Sequence, residues 1–374
     1  MNLVVLFTYG YKMSDWAKKG HLQREAILYN TLADNGVYTT FITYGDKEDF
    51  KWENQFNDKI KIIPVYDKLY YFRSKVLRFI QSFFIPFYLK EILKKSGLIK
   101  TNQIWGGWVA VIAKYFYNVP FIARCGNEPY SFSILKRTRK RQIFKHLLNG
   151  HLTYKFADKI IVATDADKDV INNVFNISSN KINVLPNWID TKLFKPMLNV
   201  GKYTNRIIAV GRLVKQKNYP LIFNTIKDSS FTLDIIGSGE MEDELRELAI
   251  KLKINVNFLG SFKNDQLPTK YNQYPIYVLT SIAEGNPKTL LEAMACECAV
   301  IGTNVEGIKN IIRDGKNGIL VDTDQVSLRK AIIQLIRDEQ MRLVLGKEAR
   351  KDVIAQCSLK EYITNEINTY KALL

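Results

Sequence analysis

The chain of 374 residues is poor in the residue types that build disulfide-bonded or metal-dependent proteins. It contains four Cys and three His. Cys125, Cys296, Cys298 and Cys357 are too few and too scattered for a disulfide framework. Because so few histidines accompany the pair Cys296 and Cys298, a zinc site there is a poor interpretation. We expect buried thiols in a reducing compartment.

Long hydrophobic runs are also missing. No stretch reaches the roughly 18–20 apolar residues that span a bilayer as a helix, which argues against an integral membrane protein. Met1 and Asn2 lead directly into an apolar strand-like run, so we expect no signal peptide and a cytoplasmic location. The composition, 47% hydrophobic and 12% aromatic, indicates a globular chain whose length favours two domains.

Acidic residues are scarce in one region. Residues 51–145 hold 19 Lys and Arg against 5 Asp and Glu, and this excess of 14 makes up most of the net charge of +17. Segments 68–95 and 136–148 mix the basic residues with aromatic and aliphatic ones, as in helices that lie on an anionic membrane surface. The alternatives are ordinary amphipathic helices packed on a sheet, and a phosphorylated acceptor. Nucleic acid is not expected as a partner, because no known nucleic-acid-binding module is visible.

Short apolar runs rich in β-formers alternate with helical patterns, which predicts βαβ units and parallel sheets. The predicted strands are 3–7, 38–43, 60–63, 121–123, 159–163 and 182–185, followed by 207–210, 233–236, 256–259, 276–279, 300–302 and 318–321. The polar segment 186–206 interrupts the alternation and is interpreted as a linker.

The sequence therefore predicts an α/β protein with two Rossmann-like domains, 1–190 and 200–350. A C-terminal helix in 351–374, predicted at 358–373, could cross back to the first domain. In open parallel sheets ligands bind outside the carboxyl ends of the strands, so we expect the two sheets to face a ligand-binding cleft.

Two predicted loops in the second domain are rich in glycine. Gly211 follows strand 207–210, and Arg212 and Lys217 then supply two cations suited to a diphosphate, although a basic loop without a ligand is the simpler alternative when this motif is taken alone. The turn after strand 233–236 consists of Gly237, Ser238 and Gly239. This turn is half of a dinucleotide-binding pattern, and an ordinary tight turn is the simpler alternative.

A third loop precedes a helix in the stretch SIAEGNPKTLLEAMACECAVIG, residues 281–302. We expect Asn286 to cap this helix and Pro287 to be its first residue. The free N–H groups at Lys288 and Thr289 would then form an anion site.

Two acids flank that anion site. Glu284 precedes the helix and Glu292 lies inside it, about 12 Å away if the rise were helical throughout. That is wider than the roughly 5–9.5 Å between the paired carboxylates of glycosidases. These acids could instead bind two hydroxyl-bearing ends of one ligand with a phosphate between them, which is the layout of a nucleotide-sugar.

With these motifs, the second domain resembles the retaining family-four glycosyltransferases, of the group 1 type and the GT-B fold. Glu284 and Glu292 match the E-x7-E motif of that family. Its phosphate-binding loop and second glycine turn are matched by Gly211-Arg212 with Lys217-Asn218 and by Gly237-Ser238-Gly239.

The resemblance implies roles for these residues. Glu284 would contact the donor sugar, Glu292 the ribose hydroxyls, and Arg212 and Lys217 the leaving diphosphate. The other implied donor-binding residues are Gly211, Gly237, Ser238, Gly239, Gly285, Asn286, Pro287, Lys288 and Thr289. Cationic groups would replace a metal, so no cofactor is expected beyond the nucleotide diphosphate sugar as substrate.

The first domain matches the family less closely. The His that the family often has after the strand corresponding to 121–123 is absent here. Arg124, Asn127 or Glu128 could take its place on the acceptor side, and Gly10 follows the first strand.

Other polar residues of the first domain have simpler explanations. Asp165-Ala166-Asp167 resembles a metal-binding D-x-D, but it opens a predicted helix, so helix capping explains it better. The three histidines, His21, His146 and His151, are interpreted as structural or surface residues.

The resulting hypothesis is a retaining glycosyltransferase at the cytoplasmic face of the cell membrane, peripherally bound. It would transfer a sugar from a nucleotide diphosphate sugar to a lipid-linked glycan in polysaccharide, lipopolysaccharide or glycoprotein glycan assembly. The alternatives are a non-catalytic membrane- or nucleic-acid-binding protein with this fold, or another GT-B enzyme such as an epimerase.

Overall fold

A computed structural model describes residues 1–135 and 138–374. The chain divides into two compact units. Unit 1 contains residues 1–185 and 363–374, and unit 2 contains residues 186–362. Each unit is built on one parallel sheet, as the alternation of strands and helices predicted.

The sheet of unit 1 has seven strands in the order β3-β2-β1-β4-β5-β6-β7, with every neighbouring pair parallel. Its strands are β1 Asn2–Leu6, β2 Tyr38–Thr43, β3 Ile60–Pro64, β4 Leu98–Thr101, β5 Phe121–Cys125, β6 Lys159–Val162 and β7 Ile182–Val184. The prediction missed β4, because this short strand contains Lys100 and does not read as an apolar run. It nevertheless lies in the middle of the sheet, beside β1.

The helices of unit 1 are mostly short. They are α1 Met13–Lys18, α2 Leu22–Asp34, α3 Val65–Lys68, α4 Lys75–Ser82, α5 Ile85–Tyr88, α6 Lys90–Lys95, α7 Gly107–Tyr117, α8 Pro129–Leu135, α9 Lys140–Phe156 and α10 Asp165–Phe175, with 3-10 turns at Lys47–Gln55 and Ser179–Lys181. Segment 68–95, whose composition resembles that of membrane-surface helices, contains the short helices α4, α5 and α6. Pro86 lies in the first turn of α5, where its missing N–H is tolerated. In segment 136–148, residues 136 and 137 lie outside the described residues.

The sheet of unit 2 has six strands in the order β10-β9-β8-β11-β12-β13, all parallel. They are β8 Arg206–Val210, β9 Thr232–Ile236, β10 Asn255–Phe258, β11 Ile276–Leu279, β12 Ala299–Thr303 and β13 Ile319–Val321. The helices are α11 Tyr219–Ile226, α12 Glu242–Leu252, α13 Leu267–Gln273, α14 Lys288–Ala295, α15 Gln325–Arg337 and α16 Glu339–Cys357, with a 3-10 turn at Lys215–Lys217. The last helix, α17 Leu359–Lys371, belongs to unit 1 from residue 363 on.

The central strands of the unit 2 sheet are buried on both faces. Along β8, Ile207 and Ala209 pack into one core cluster, and Ile208 and Val210 pack into the other. Successive side chains of a strand point to opposite faces, so a strand covered on both sides needs apolar residues at every position. This requirement explains the continuous apolar run that identified β8 in the sequence.

Segment 186–206, interpreted as a linker, begins at the boundary between the two units, and its residues Trp188, Ile189 and Phe194 are buried in unit 2. One helix prediction in unit 2 was wrong. The helical pattern at 328–345 is two helices that meet at Asp338. Its carboxylate accepts the N–H of Met341 at 2.8 Å and so caps the start of α16.

The four cysteines are buried free thiols, as expected. Among the described residues, no helix is both long enough and apolar enough to span a bilayer.

Candidate functional site

The three loops that carry the predicted donor residues gather at one edge of the unit 2 sheet. Strand β8 lies between β9 and β11, and all three are parallel. Their carboxyl ends therefore meet at one edge, on both sides of the point where the strand order reverses. This is where an open parallel sheet binds its ligand.

The loop after β8 and the turn after β9 are joined through their backbones. The N–H of Gly211 donates to the carbonyl of Ile236, and the N–H of Leu213 donates to the carbonyl of Ser238, both at 2.9 Å. Gly237 has a φ of 145° there, and a Cβ at this position would overlap the carbonyl oxygen of Gly211. The glycine that the sequence singled out is therefore required by this close approach.

Gln216 joins the loop after β8 to the loop after β11. Its side-chain amide donates to the backbone carbonyl of Ala283 at 2.8 Å, and its backbone carbonyl accepts a hydrogen bond from the N–H of Ile282 at 2.9 Å. Thr280 adds a bond from its hydroxyl to the carbonyl of Lys217 at 3.1 Å. These contacts fix the residues around Lys217 against those around Glu284.

Lys217 and Glu284 form an ion pair in which Nζ lies 2.5 Å from Oε1. The hydroxyl of Ser281 donates to the same carboxylate oxygen at 2.5 Å. The side chains of the pair are only 13% and 9% exposed, so water screens them poorly. The predicted sugar contact and the predicted phosphate contact thus hold each other in place.

Tyr219 lies behind this pair. Its hydroxyl donates to the carbonyl of Gly211 at 3.1 Å. Burial raises its pKa well above the usual value, and the negative charge of Glu284 raises it further. The phenol therefore stays neutral and supports the loop as a donor.

Arg212 lies on the same loop with an exposed side chain, and its carbonyl accepts the N–H of Val214 at 3.0 Å. Ser238 and Gly239 are also exposed at the turn after β9.

Helix α14 begins at Lys288, one residue later than predicted, and Pro287 is its capping residue. Asn286 is not the cap. Its side-chain oxygen accepts the backbone N–H of Asn187 at 3.2 Å, and its carbonyl accepts the side-chain amide of Asn187 at 2.9 Å. Asn286 instead ties Gly285 and the helix start to residue 187, a partner that is far away in sequence.

The start of α14 still has the properties of an anion site. The first N–H groups of a helix, here those of Lys288 and Thr289, have no acceptor within the helix. They carry the positive end of the helix dipole. The hydroxyl of Thr289 is fixed by a 2.8 Å hydrogen bond with the hydroxyl of Tyr277, a residue of β11.

Glu292 lies one turn further along α14, where it is only 8% exposed. The hydroxyl of Tyr271 donates to its Oε2 at 2.9 Å. Burial raises the pKa of Tyr271 well above its usual value, and the charge of Glu292 raises it further, so the phenol remains a donor. Tyr271 belongs to α13 and is completely buried.

The candidate acceptor residues of unit 1 have mixed environments. Gly10 lies exposed in a turn after β1 with a φ of 82°. Arg124 belongs to β5 and is half-buried, with its N–H bonded to the hydroxyl of Thr101 at 3.0 Å. Asn127 is exposed just beyond β5.

Glu128 differs from these residues because it is 1% exposed. Its Oε2 accepts the N–H of Ser131 at 2.7 Å, and its own N–H donates to Asp167 at 2.8 Å. Burial raises the pKa of Glu128. The structure therefore gives Glu128 partners inside unit 1, and its role as a sugar contact stays a prediction.

Asp165 and Asp167 occupy the first turn of α10, where their charges suit the helix dipole, but the capping residue is Thr164 and not a residue of the D-x-D. The hydroxyl of Thr164 accepts the N–H of Asp167 at 3.1 Å and donates to its carboxylate at 2.7 Å.

Sequence reasoning missed the supporting residues of the site: Gln216, Tyr271, Asn187 and Gly307. The backbone of Gly307 has a φ of 81° and lies against the carbonyl oxygens of Glu284 and Gly285. The signal for Gly307 was available, since it follows a strand end in the same sheet. The others are recognised only from the contacts they make in the fold.

Two family models match the chain. One, described as Glycosyltransferase Family 4, matches residues 26–193. The other, described as Glycosyl transferases group 1, matches residues 191–352.

Individual proteins are similar at lower identity. An uncharacterized glycosyltransferase of Methanocaldococcus jannaschii is 28% identical over 56% of this chain, and the match spans 59% of that protein, less than two thirds of its length. A UDP-Gal:alpha-D-GlcNAc-diphosphoundecaprenol alpha-1,3-galactosyltransferase of Escherichia coli is 26% identical over 71% of this chain and 73% of its own length.

Among solved structures, Anabaena HepE in complex with UDP matches with a TM-score of 0.78 at 15% identity, over the full length of both chains. At this identity the likeness concerns the fold. Because the two family matches together extend from residue 26 to residue 352, the chain is a glycosyltransferase with the GT-B fold.

Proposed function

We propose that this glycosyltransferase takes a sugar from a nucleotide diphosphate sugar and transfers it, with retention of anomeric configuration, to a lipid-linked glycan. The observation that carries the proposal is the Lys217–Glu284 ion pair at the strand ends of unit 2, in the loop that leads to the start of α14. A cation, an acid and a helix dipole are thereby available to one phosphorylated sugar.

In the proposed complex the diphosphate lies at the start of α14 and accepts hydrogen bonds from the backbone N–H groups of Lys288 and Thr289. Arg212 and Lys217 add positive charge as the diphosphate leaves, so we propose a step without a metal ion. Glu292, held by Tyr271, accepts hydrogen bonds from the ribose hydroxyls. Glu284 accepts hydrogen bonds from the donor sugar.

The proposed reaction needs no second catalytic carboxylate. The acceptor hydroxyl oxygen forms a bond to the anomeric carbon while the bond from that carbon to the β-phosphate oxygen breaks. Both events occur on the same face of the sugar. The proton of the hydroxyl passes to an oxygen of the leaving phosphate, which thus serves as the base.

The proposed acceptor is a glycan on a lipid diphosphate. The name of the Escherichia coli relative includes such an acceptor, a diphosphoundecaprenol, and a UDP-linked donor sugar. The basic segments 68–95 and 136–148 of unit 1 suit an anionic membrane surface. We therefore propose a peripheral location at the cytoplasmic face of the membrane, and UDP-sugars as the first donors to test.

Donor binding is the direct test. A donor that binds the native state and is present at a concentration about a hundredfold above its Kd should stabilise the protein by about 2.7 kcal/mol. A thermal-shift screen of nucleotide-sugars would detect this. Glu284→Gln keeps the shape of the side chain and removes its charge. We expect it to lower the rate of sugar transfer by about a hundredfold, as does the loss of one electrostatic contact to a transition state.

Glu244→Ala is the matched control, because Glu244 is an exposed acid on α12 of the same unit. It should behave as the wild type. The proposal fails if no nucleotide-sugar shifts the unfolding temperature, or if Glu284→Gln and Glu244→Ala transfer sugar equally well.

A further inference from the structure

Helix α9 of unit 1 exposes several large apolar side chains to solvent, beside its charged ones. Its buried residues are Asn149, Gly150, Thr153 and Tyr154, three of which are small or polar. Its outward residues are Phe144, Leu148, Leu152 and Phe156, which are 63%, 62%, 37% and 45% exposed. Because residues four apart lie on one side of a helix, these four form a continuous apolar stripe.

The stripe continues onto neighbouring helices. Lys114 of α7 donates to the carbonyl of Phe156 at 3.0 Å, which places the ends of α7 and α9 together. Two residues after Lys114, Phe116 is 56% exposed, and its ring lies 4.8 Å from that of Phe87 of α5.

A second row of exposed apolar side chains runs along α4 and into α5. It consists of Val76, Ile80, Phe84 and Phe87, exposed by 67%, 50%, 62% and 44%. Exposed apolar surfaces of this extent mark an interaction site. We call the two rows, with Phe116 between them, the apolar face.

The segment that carries the apolar face is predominantly basic, and one of its cations, Lys114, is paired with Asp158 just beyond α9. Residues 70–156 contain 16 Lys and Arg but only two acids, Glu91 and Glu128, and Glu128 is buried. Exposed basic residues accompany the stripe on α9 itself: Lys140, Arg141, Lys145 and Lys155. The partner of this surface must therefore offer both apolar groups and negative charge.

We propose that the apolar face inserts into the headgroup region of an anionic lipid bilayer. A bilayer supplies both features, acyl chains for the stripe and acidic headgroups for the lysines and arginines. A second copy of the chain would not, because a two-fold dimer would bring the same basic surface against itself. Nucleic acid would pair with the charge but leave the aliphatic side chains Leu148, Leu152 and Ile80 without a matching partner.

The apolar face also leads to the predicted acceptor side. The ring of Tyr9, next to Gly10 at the end of β1, lies 6.0 Å from Phe79 of α4 and 5.3 Å from Trp108 of α7. An inserted apolar face would hold these strand ends beside the bilayer, where the glycan of a lipid-linked acceptor begins. The inference rests on the proposed function, because a lipid-linked acceptor is the reason for such an orientation.

The test compares binding of the full chain to phosphatidylcholine vesicles and to mixed phosphatidylcholine–phosphatidylglycerol vesicles by co-sedimentation. The stripe variant is F144S/L148S/L152S. Since these side chains would bury in the bilayer, we expect its partitioning onto mixed vesicles to fall by at least about tenfold. Neutralising Lys140→Gln, Arg141→Gln and Lys145→Gln together should also weaken binding to mixed vesicles by about tenfold or more and leave the weak binding to phosphatidylcholine unchanged.

The matched control is I250S/V326S, because Ile250 and Val326 are 78% and 79% exposed and belong to unit 2, whereas the apolar face belongs to unit 1. It should bind vesicles as the wild type does. Equal binding by the stripe variant and the wild type overturns the inference, as does equal loss in the control. Failure of the wild type to bind mixed vesicles, or a dimer that the stripe variant abolishes, overturns it too.

Hydrolysis of the donor nucleotide-sugar in the absence of vesicles distinguishes a failure of the membrane inference from a failure of the proposed function. We expect the stripe variant to hydrolyse donor at the wild-type rate, which also shows that it is folded. A wild type that hydrolyses donor but ignores vesicles overturns the inference alone. A wild type that binds vesicles but neither binds nor hydrolyses any donor overturns the proposed function.

Discussion

At the scale of single residues, the candidate donor site depends on buried partners that hold its charged groups. Glu292 could adopt several side-chain conformations on an exposed helix, but here the hydroxyl of Tyr271 fixes one carboxylate oxygen from behind. A carboxylate oriented in this way can accept ribose hydroxyls without first losing conformational freedom. Tyr271 is thus a positioning residue that does not itself reach the ligand in our proposal.

We expect Tyr271→Phe to weaken donor binding. Hydrogen bonds to charged groups contribute about 1.5–3 kcal/mol, so the KM for the donor should rise by about tenfold or more, while kcat changes little. Steady-state kinetics with varied donor separates the two constants.

Tyr274→Phe is the control for this substitution. Tyr274 is also buried, three residues further along, and its hydroxyl donates to Asp234 at 2.5 Å instead of to α14. This variant should lose stability without a change in donor KM. If both variants raise KM equally, the effect is general loosening of unit 2 and not the position of Glu292.

At the scale of elements, the donor loops are shaped by one another. The loop after β11 is held by Gln216 on one side and by the segment after β12 on the other, where Gly307 touches the carbonyls of Glu284 and Gly285. A helix–strand pattern predicts where such loops occur. It does not predict that the backbone of one loop must approach another closely enough to exclude a side chain.

Gly307→Ala should therefore disturb catalysis more than folding. The added methyl group overlaps the carbonyls of Glu284 and Gly285, so the loop must move, and a displacement of about 1 Å can lower a rate by about a hundredfold. We expect at least a tenfold loss of transfer activity, measured as kcat/KM.

Gly315→Ala controls for the backbone strain alone. Gly315 has a φ of 70° in the same unit, and a Cβ there would meet no atom within 4 Å. Its cost should be limited to about 1–2 kcal/mol of stability, the usual penalty for a left-handed residue with a side chain. Equal activity of the two variants would contradict the close-approach argument.

At the scale of the whole molecule, the end of the chain completes unit 1. Lys100 of β4 and Glu366 of α17 form an ion pair in which both side chains are fully buried. Lys100 also donates to the hydroxyl of Tyr370 at 3.1 Å. Burial lowers the pKa of Lys100, and the charge of Glu366 opposes that shift. The two residues are 266 positions apart, so the pair forms only when α17 packs on the sheet of unit 1.

Removing one partner should destabilise the protein more than removing both. Lys100→Met leaves the charge of Glu366 buried without its partner and should cost about 3–5 kcal/mol of unfolding free energy. The double variant K100M/E366L should recover much of that loss. Urea unfolding followed by tryptophan fluorescence reports on unit 1, which holds four of the five tryptophans. Additive losses in the double variant would show that the pair is not coupled.

The sequence by itself determined the parallel sheets, the strand ends and the region of positive charge. These features follow from residues that are neighbours in the chain: the apolar runs of β8 and β11, the glycines after β8 and β9, and the basic residues from 51 to 145. Twelve of the thirteen strands found in residues 1–135 and 138–374 could be predicted for this reason. Two features of unit 2 were not visible in the local pattern: the packing of segment 186–206 and the break between helices at Asp338. Both depend on apolar or capping contacts that form only in the fold.

Only the tertiary structure decided which polar groups pair. Lys217 with Glu284, Tyr271 with Glu292, Asn187 with Asn286 and Lys100 with Glu366 are each brought together by folding. The same holds for β4, whose lysine suits a sheet interior only because α17 supplies a carboxylate, and for the outward stripe of α9, whose helical period does not reveal which side is buried. Local patterns encode the elements, whereas partners and exposed faces depend on contacts between residues far apart in the chain.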